Sequence, residues 1–275
     1  MTKQQLEQQW LSLSIQNNFI FGKTFESNPD LCRRLLELIL NLKINHINYP
    51  EREKIIEART DSKGIRLDVY VQNKDYNRSF DIEMHVSDSE NISKRMRYYQ
   101  GLIDMDKLKH GQHYSSLGDS FIIFICPFDR FNSGRHIYTF REICAESPNI
   151  QLNDGSTKIF LSTKGTADDV SPDLLAFLNY ADRGVVNSDF VHELDEAVQL
   201  VKSNRKAMKE FMTYEMTLLE NRMEAEQQGL LRGREEEKES IATNMIKLGL
   251  DFSVIQATTK LPIERIKELF SKIPT

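Results

Sequence analysis

Residues 65–86 read IRLDVYVQNKDYNRSFDIEMHV, and this stretch decides the fold. Arg66, Asp68, Tyr70 and Gln72 alternate with Leu67, Val69 and Val71, and Ser79, Asp81, Glu83 and His85 alternate with Phe80, Ile82, Met84 and Val86. Successive side chains of a strand point to opposite faces, so both runs predict half-buried strands with one apolar and one polar side. Lys74, Asp75, Tyr76 and Asn77 supply the polar turn of a hairpin. Pairing Asn73 with Arg78 sets Tyr70 against Asp81, Asp68 against Glu83 and Arg66 against His85, while Leu67, Val69 and Val71 meet Met84, Ile82 and Phe80. A slip of one residue would set apolar side chains against polar ones, so the match selects this register.

Two carboxylates opposed on one face repel, at a cost of a few tenths to about 1 kcal/mol. A divalent cation is one compensation. Asp68, Glu83, the Met84 backbone carbonyl and waters form the hard-oxygen, water-rich shell that Mg²⁺ prefers, and such a metal activates water and steadies charge on a scissile phosphate. Neutralisation by Arg66, with Lys63 or Arg95, is the other compensation and leaves an ordinary salt-bridged sheet surface. His85 points to the same face, where a histidine can polarise water, orient a phosphate, bind metal or do none of these.

Outward from the hairpin the pattern is mixed. Helix signals at Leu6–Ile15 and from Pro29 through Leu31, Leu35, Leu38 and Leu42 precede a strand at Lys54–Arg59. A helix over Asn91–Lys109 follows, then strands at Phe121–Cys126, His136–Ile143 and Lys158–Leu161. On the helix, Ile92, Met96, Tyr99 and Ile103 form an apolar stripe, with Arg97 and Gln100 at its edge, where they can meet phosphate or a site water. Lys94, Arg95 and Arg97 make a local basic cluster suited to phosphate contacts without base readout.

After Pro172 strand signals stop, and composition shifts near Arg183–Asn187. The reading is an α/β (α+β) core over residues 1–184, a helical extension over 185–239 and a small helical tail over 240–275. In the extension Met212, Met216, Leu219, Met223 and Leu230 follow four-three spacing, interrupted by Glu226, which predicts a short coiled coil able to pair two copies. Gly229 and Gly233 predict fraying or a bend there. In the tail, Gly249 and Pro262 divide three short helices, compatible with a helix-turn-helix or with a plain packing tail.

Composition narrows the function classes. Among 275 residues, 40% are hydrophobic and 28% charged, which excludes a disordered or collagen-like chain. The net charge of −5 provides no global basic field, so any nucleic-acid site is local. Three cysteines without CxxC spacing support neither a disulfide framework nor a cysteine zinc site, and fit the reducing cytoplasm. The longest apolar run, Phe121–Cys126, is far below the roughly 18 residues of a membrane span.

Asp68 within IRLDVYV, followed by DIEMH over Asp81–His85, resembles the Asp, then Glu-x-Lys signature of the PD-(D/E)XK nuclease superfamily. More closely, the chain resembles its recombination-promoting nuclease and transposase family. That resemblance runs through FIFGKTF (19–25), KRMRYYQ (94–100), FIIFICPF (121–128), YTFR (138–141) and KIFLSTKG (158–165). It continues through Asp195–Val201 and the stretch near Gly229–Arg234. It implies a restriction-endonuclease-like core with a mixed central sheet flanked by helices. It also implies Mg²⁺ or Mn²⁺ at Asp68 and Glu83, and hydrolysis of DNA in recombination or transposition. Two positions depart from the pattern. His85 stands where the superfamily has Lys and this family often has Gln, and Asn18 stands where relatives often place Asp. A neutral imidazole holds a water or phosphate oxygen without a permanent ammonium charge, and Asn18 offers a carbonyl oxygen in place of an anionic ligand. A decayed nuclease fold that binds DNA or a protein partner is the alternative.

Overall fold

The computed structural model describes residues 3–48, 50–56, 64–73, 77–88 and 91–272. Lys63, the turn residues Lys74, Asp75 and Tyr76, and Arg59 at the end of the first expected strand lie outside them. The chain divides into two compact units, 1–211 and 212–275.

The first unit is a mixed α/β fold. Helices α1 (Lys3–Ser12), α2 (Asn18–Ser27) and α3 (Pro29–Leu40) precede strands β1 (Glu51–Ile56), β2 (Ile65–Asn73) and β3 (Arg78–Met84). Then come α4 (Ile92–Lys107), β4 (Ser120–Cys126), β5 (Ile137–Phe140), β6 (Ser156–Ser162), α5 (Pro172–Arg183) and α6 (Asp189–Ser203). Helix α7 (Arg205–Lys247) begins in this unit. Among the described residues the strands form one six-stranded sheet in the order β1-β2-β3-β4-β6-β5. The β3–β4 and β4–β6 pairs are parallel and the others antiparallel.

The hairpin register is the one read from the alternation: Asn73 pairs with Arg78, Val71 with Phe80, Tyr70 with Asp81 and Val69 with Ile82. The expected half-burial fails on β3, where Ser79, Asp81 and Glu83 are as buried as Phe80 and Ile82. Position in the sheet explains this. β3 and β4 are parallel, so a crossover must join them, and α4 is that crossover. Asp81 pairs with Ile122 and Glu83 with Phe124, so the acids share their face with the cluster of Ile122, Phe124, Cys126 and Phe160, against which Ile92, Met96, Tyr99 and Ile103 of α4 pack.

The FIFGKTF segment is helical. Asn17 caps α2 by accepting from the Phe19 and Ile20 N–H groups, and the helix packs on β1, β2 and β3. Gly22 makes that approach close: a β-carbon there would come within 2.7 Å of Arg52 Cγ and 3.2 Å of the Asp68 carbonyl oxygen. The composition shift near Arg183–Asn187 falls inside this unit, because α6 packs on α2 and α5. The Trp10 indole donates to the Lys202 carbonyl at 3.0 Å, and Phe211 is buried against Trp10 and Phe19. The strand expected over His136–Ile143 is only Ile137–Phe140; Ile143 forms an isolated bridge with Gln151.

The second unit contains the rest of α7, α8 (Phe252–Thr259) and α9 (Ile263–Ser271). Ala242, Ile246, Ile255, Leu261 and Ile266 form its core, and Arg265 reaches Glu239 at 2.7 Å. Helix α7 runs unbroken through Gly229 and Gly233, against the expected fraying, and continues to Lys247 as the first helix of the tail. Pairs such as Arg232–Glu236 at 2.8 Å support it there, and a helical glycine costs only about 1 kcal/mol relative to alanine.

The glycines separate in sign. Gly22→Ala overpacks the α2–sheet contact by about 1–3 kcal/mol, outweighing a helical gain of about 1 kcal/mol, and lowers the melting temperature. Gly229→Ala, with nothing within 4 Å of the added carbon, raises helicity by circular dichroism without lowering stability.

Candidate active site

The ladders on both sides of β2 omit Asp68. β1 pairs Arg52 with Val69 and Lys54 with Leu67, passing over Glu53 and Asp68, and the β3 ladder ends at Val69–Ile82. Glu53 lies at φ 55°, a left-handed backbone that a non-glycine residue rarely takes. At this break, side chains replace the missing ladder bonds. The Asp68 N–H donates to Glu83 Oε1 at 2.8 Å, and the Met84 N–H donates to Asp68 Oδ2 at 3.2 Å. Each carboxylate therefore holds the other's strand. The Met84 carbonyl leaves the strand on the same side as its N–H, toward Asp68.

Helix α4 supplies the cation. Arg95 Nη2 donates to Glu83 Oε2 at 2.9 Å, Nη1 lies 3.2 Å from His85 Nδ1, and Nε donates to the Tyr99 hydroxyl at 2.7 Å. The neutraliser of Glu83 is thus Arg95. Arg95 is held to the protein through Nε, Nη1 and Nη2 while its side chain stays 38% exposed, so a phosphate contact would use the remaining Nη hydrogens. Arg66 acts on Asp68 by charge, drawing its pKa down.

Burial pushes the Asp68 carboxyl up to about 6, opposed by the Met84 N–H and Arg95. Burial and then the Asp68 charge push Glu83 up to about 8. Asp81, two residues before Glu83, is fully buried with its carboxyl facing that of Glu83, and burial with the Glu83 and Asp68 charges raises it well above the carboxylate range. His85 stacks on Phe124 at 5.4 Å, and burial followed by Arg95 lowers its pKa, so the imidazole is neutral near pH 7. Its Nε2 is buried and has no hydrogen-bond partner among the described residues.

The second-tier residues separate. Asn18 lies one helical turn before Gly22, on the face of α2 that meets β2 at Asp68. Gln100 is elsewhere: its amide donates to Asp104 and Ser120, and Ser120 pairs with Ser79, four residues and roughly 13 Å before Glu83. The expectation that Gln100 meets the site water is therefore corrected. Arg97 and Lys94 are exposed and line a groove of about 960 Å³ with Arg66, Arg95, Tyr98 and Tyr99. Among the described residues, no three acid, histidine or cysteine side chains converge as a metal cluster.

The sequence reading missed Gly22 and Glu53 as parts of this site. For Arg95 a signal existed: it precedes Tyr99 by four residues, so the two share a helix face, and Tyr99 belongs to the buried stripe.

A family model described as PD-(D/E)XK nuclease family transposase matches residues 16–166. That span runs from just before α2 to just after β6 and includes the whole sheet and α4. No curated protein and no solved structure matches the chain.

The raised carboxylates set a pH dependence. Their unfolded-state values are about 3.9 and 4.3, so between roughly pH 4 and 8 the folded chain holds more protons than the unfolded one. The resulting stability is complete below about pH 4 and is lost as pH rises through 6 and 8. In EDTA the melting temperature should fall from pH 5 to pH 8, and Glu83→Gln should flatten the fall. Equal melting temperatures at both pH values would contradict it.

Proposed function

The chain belongs to the PD-(D/E)XK nuclease family transposases, and from that premise we propose that it is a metal-dependent DNA endonuclease with Asp68 and Glu83 at its centre. The observation that supports this best is the crossed pair of bonds, Asp68 N–H to Glu83 and Met84 N–H to Asp68, which fixes a buried and a half-buried carboxylate side by side where the sheet opens. Their oxygens, with the Met84 carbonyl, are the hard donor set that suits Mg²⁺ or Mn²⁺. When bound, that ion neutralises the carboxylates and lowers the pKa of a coordinated water.

This chain's own residues do the rest. Asp68 and Glu83 hold the site, Asn18 offers a further oxygen, and His85 addresses the phosphate or the water. Lys94, Arg97 and Arg66 give the groove positive charge for the DNA backbone, in a protein whose net charge is −5. Cutting within recombination or transposition, in the cytoplasm, is the setting we assign. No described helix is long and apolar enough to cross a membrane. We assign the exposed Met216, Met223 and Leu230 of α7 to self-association of two copies.

Supercoiled plasmid incubated with Mg²⁺ or Mn²⁺ should be nicked, and Asp68→Ala or Glu83→Ala should bring nicking to background while keeping a cooperative thermal transition. Normal cutting by both variants would remove the site. If the wild type never cuts yet binds DNA in EDTA, the alternative of a decayed, DNA-binding nuclease fold takes over. Arg97→Ala and Lys94→Ala should each weaken DNA binding alike across sequences and reduce the salt slope by about 1. Met216→Glu combined with Met223→Glu should lower the sedimentation coefficient; an unchanged value ends the self-association reading.

A further inference from the structure

His85 stands at the third position of the signature that residues 68–85 resemble. What a lysine adds to a glutamine at that place is charge, and in this chain a charge stands beside it on another element. Arg95 donates to Glu83 at 2.9 Å and lies 3.2 Å from His85 Nδ1, with Tyr99 fixing its Nε at 2.7 Å. The guanidinium also lies over the rings of Tyr99 and Phe124, at 4.9 and 5.6 Å, and His85 stacks on the same Phe124 ring. Arginine has donors only. A hydrogen bond from it to Nδ1 requires Nδ1 to accept, which puts the proton of the neutral ring on Nε2, whereas the Ser87 carbonyl, which also faces the ring, would take a proton from Nδ1. That Nε2 is the atom left buried without a partner, on a side chain only 9% exposed. Leaving a buried donor unpaired is costly, and an incoming acceptor recovers that cost.

We propose that Arg95 is a positioning residue that fixes His85 as the Nε2–H tautomer, so that Nε2–H is held as a hydrogen-bond donor for a phosphate oxygen of the DNA backbone. Arg95 also supplies the positive charge that His85 lacks. Donation at the third position and charge are thus divided between β3's end and α4, and His85 transfers no proton. The phosphate role rests on the nuclease reading; the tautomer does not.

The test is long-range ¹H–¹⁵N NMR of the histidine side chains in the full chain, in EDTA at pH 8, with His85 assigned by its loss in His85→Gln. The wild type should show a protonated Nε2 and an unprotonated Nδ1. Arg95→Gln, checked for a cooperative melt, should give mixed tautomers or a proton on Nδ1, which can then donate to the nearby Ser87 carbonyl. Arg95→Lys should restore the Nε2–H form only in part, because a point charge cannot hold both Glu83 and His85 as a planar fork does. A proton on Nδ1 in the wild type, or an unchanged tautomer in Arg95→Gln, overturns the assignment. The donor role is read on plasmid: His85→Gln, which keeps an N–H, should retain cutting within about tenfold, whereas His85→Phe should lose about 100-fold or more. Equal loss in both overturns the donor role. A wild type that shows the Nε2–H tautomer yet cuts nothing overturns the nuclease reading and the phosphate role with it, leaving the Arg95–His85 arrangement standing.

Discussion

Everything at the centre of this molecule depends on two carboxylates that have taken over backbone pairing. A sheet that opens leaves N–H groups without partners, and a buried unpaired N–H is costly. Here Glu83 accepts the Asp68 N–H and Asp68 accepts the Met84 N–H, so the opening is satisfied by the side chains it exposes. The same exchange locks both carboxylates in place. Neither can turn away without stranding an amide of the other's strand, and so the pair is preorganised by the fold itself.

Burying two acids demands a counter-charge, and the topology determines where it comes from. The parallel β3–β4 pair requires a crossover, the crossover is α4, and α4 lies over the face that holds Glu83 and His85. Arg95 therefore reaches the site from above, resting on Tyr99 and Phe124. From the opposite side, α2 comes close to the Asp68 backbone because residue 22 has no side chain. The site is clamped between two helices that are remote from each other in sequence.

These facts explain what could be read beforehand. The β2–β3 register was legible because a hairpin is local: nine residues facing seven across a short turn, with an alternation that a one-residue slip would destroy. The burial of β3 was not, because coverage depends on β4, some forty residues later, taking the parallel place beside it. Asp81 and Glu83 alternate with apolar residues as a solvated face would, and nothing within residues 78–86 distinguishes a wet polar face from one capped by a helix. Gln100 was misplaced for a related reason. Its spacing puts it at the edge of the apolar stripe, but an edge runs the length of a helix, and only the helix position over the sheet decides which end of β3 it meets. The short helix α2 went unread because FIFGKTF has strand-like aromatic content; its local signal is the Asn17 cap.

The charge count of the site explains the raised pKa values of its carboxyls. Asp68, Asp81 and Glu83 act on one another by charge, and Arg95 is hydrogen-bonded to Glu83. Three anions and one guanidinium would leave a large uncompensated charge in a low-dielectric interior, which folding does not tolerate. The outcome is that all three carboxyls have raised pKa values, with burial the first cause of each. On the metal-dependent reading, a divalent ion and the protons on Asp68 and Glu83 are alternative solutions to the same imbalance, competing for the same oxygens. In either solution Arg95, bonded to Glu83 Oε2, would remain the fixed part of the balance.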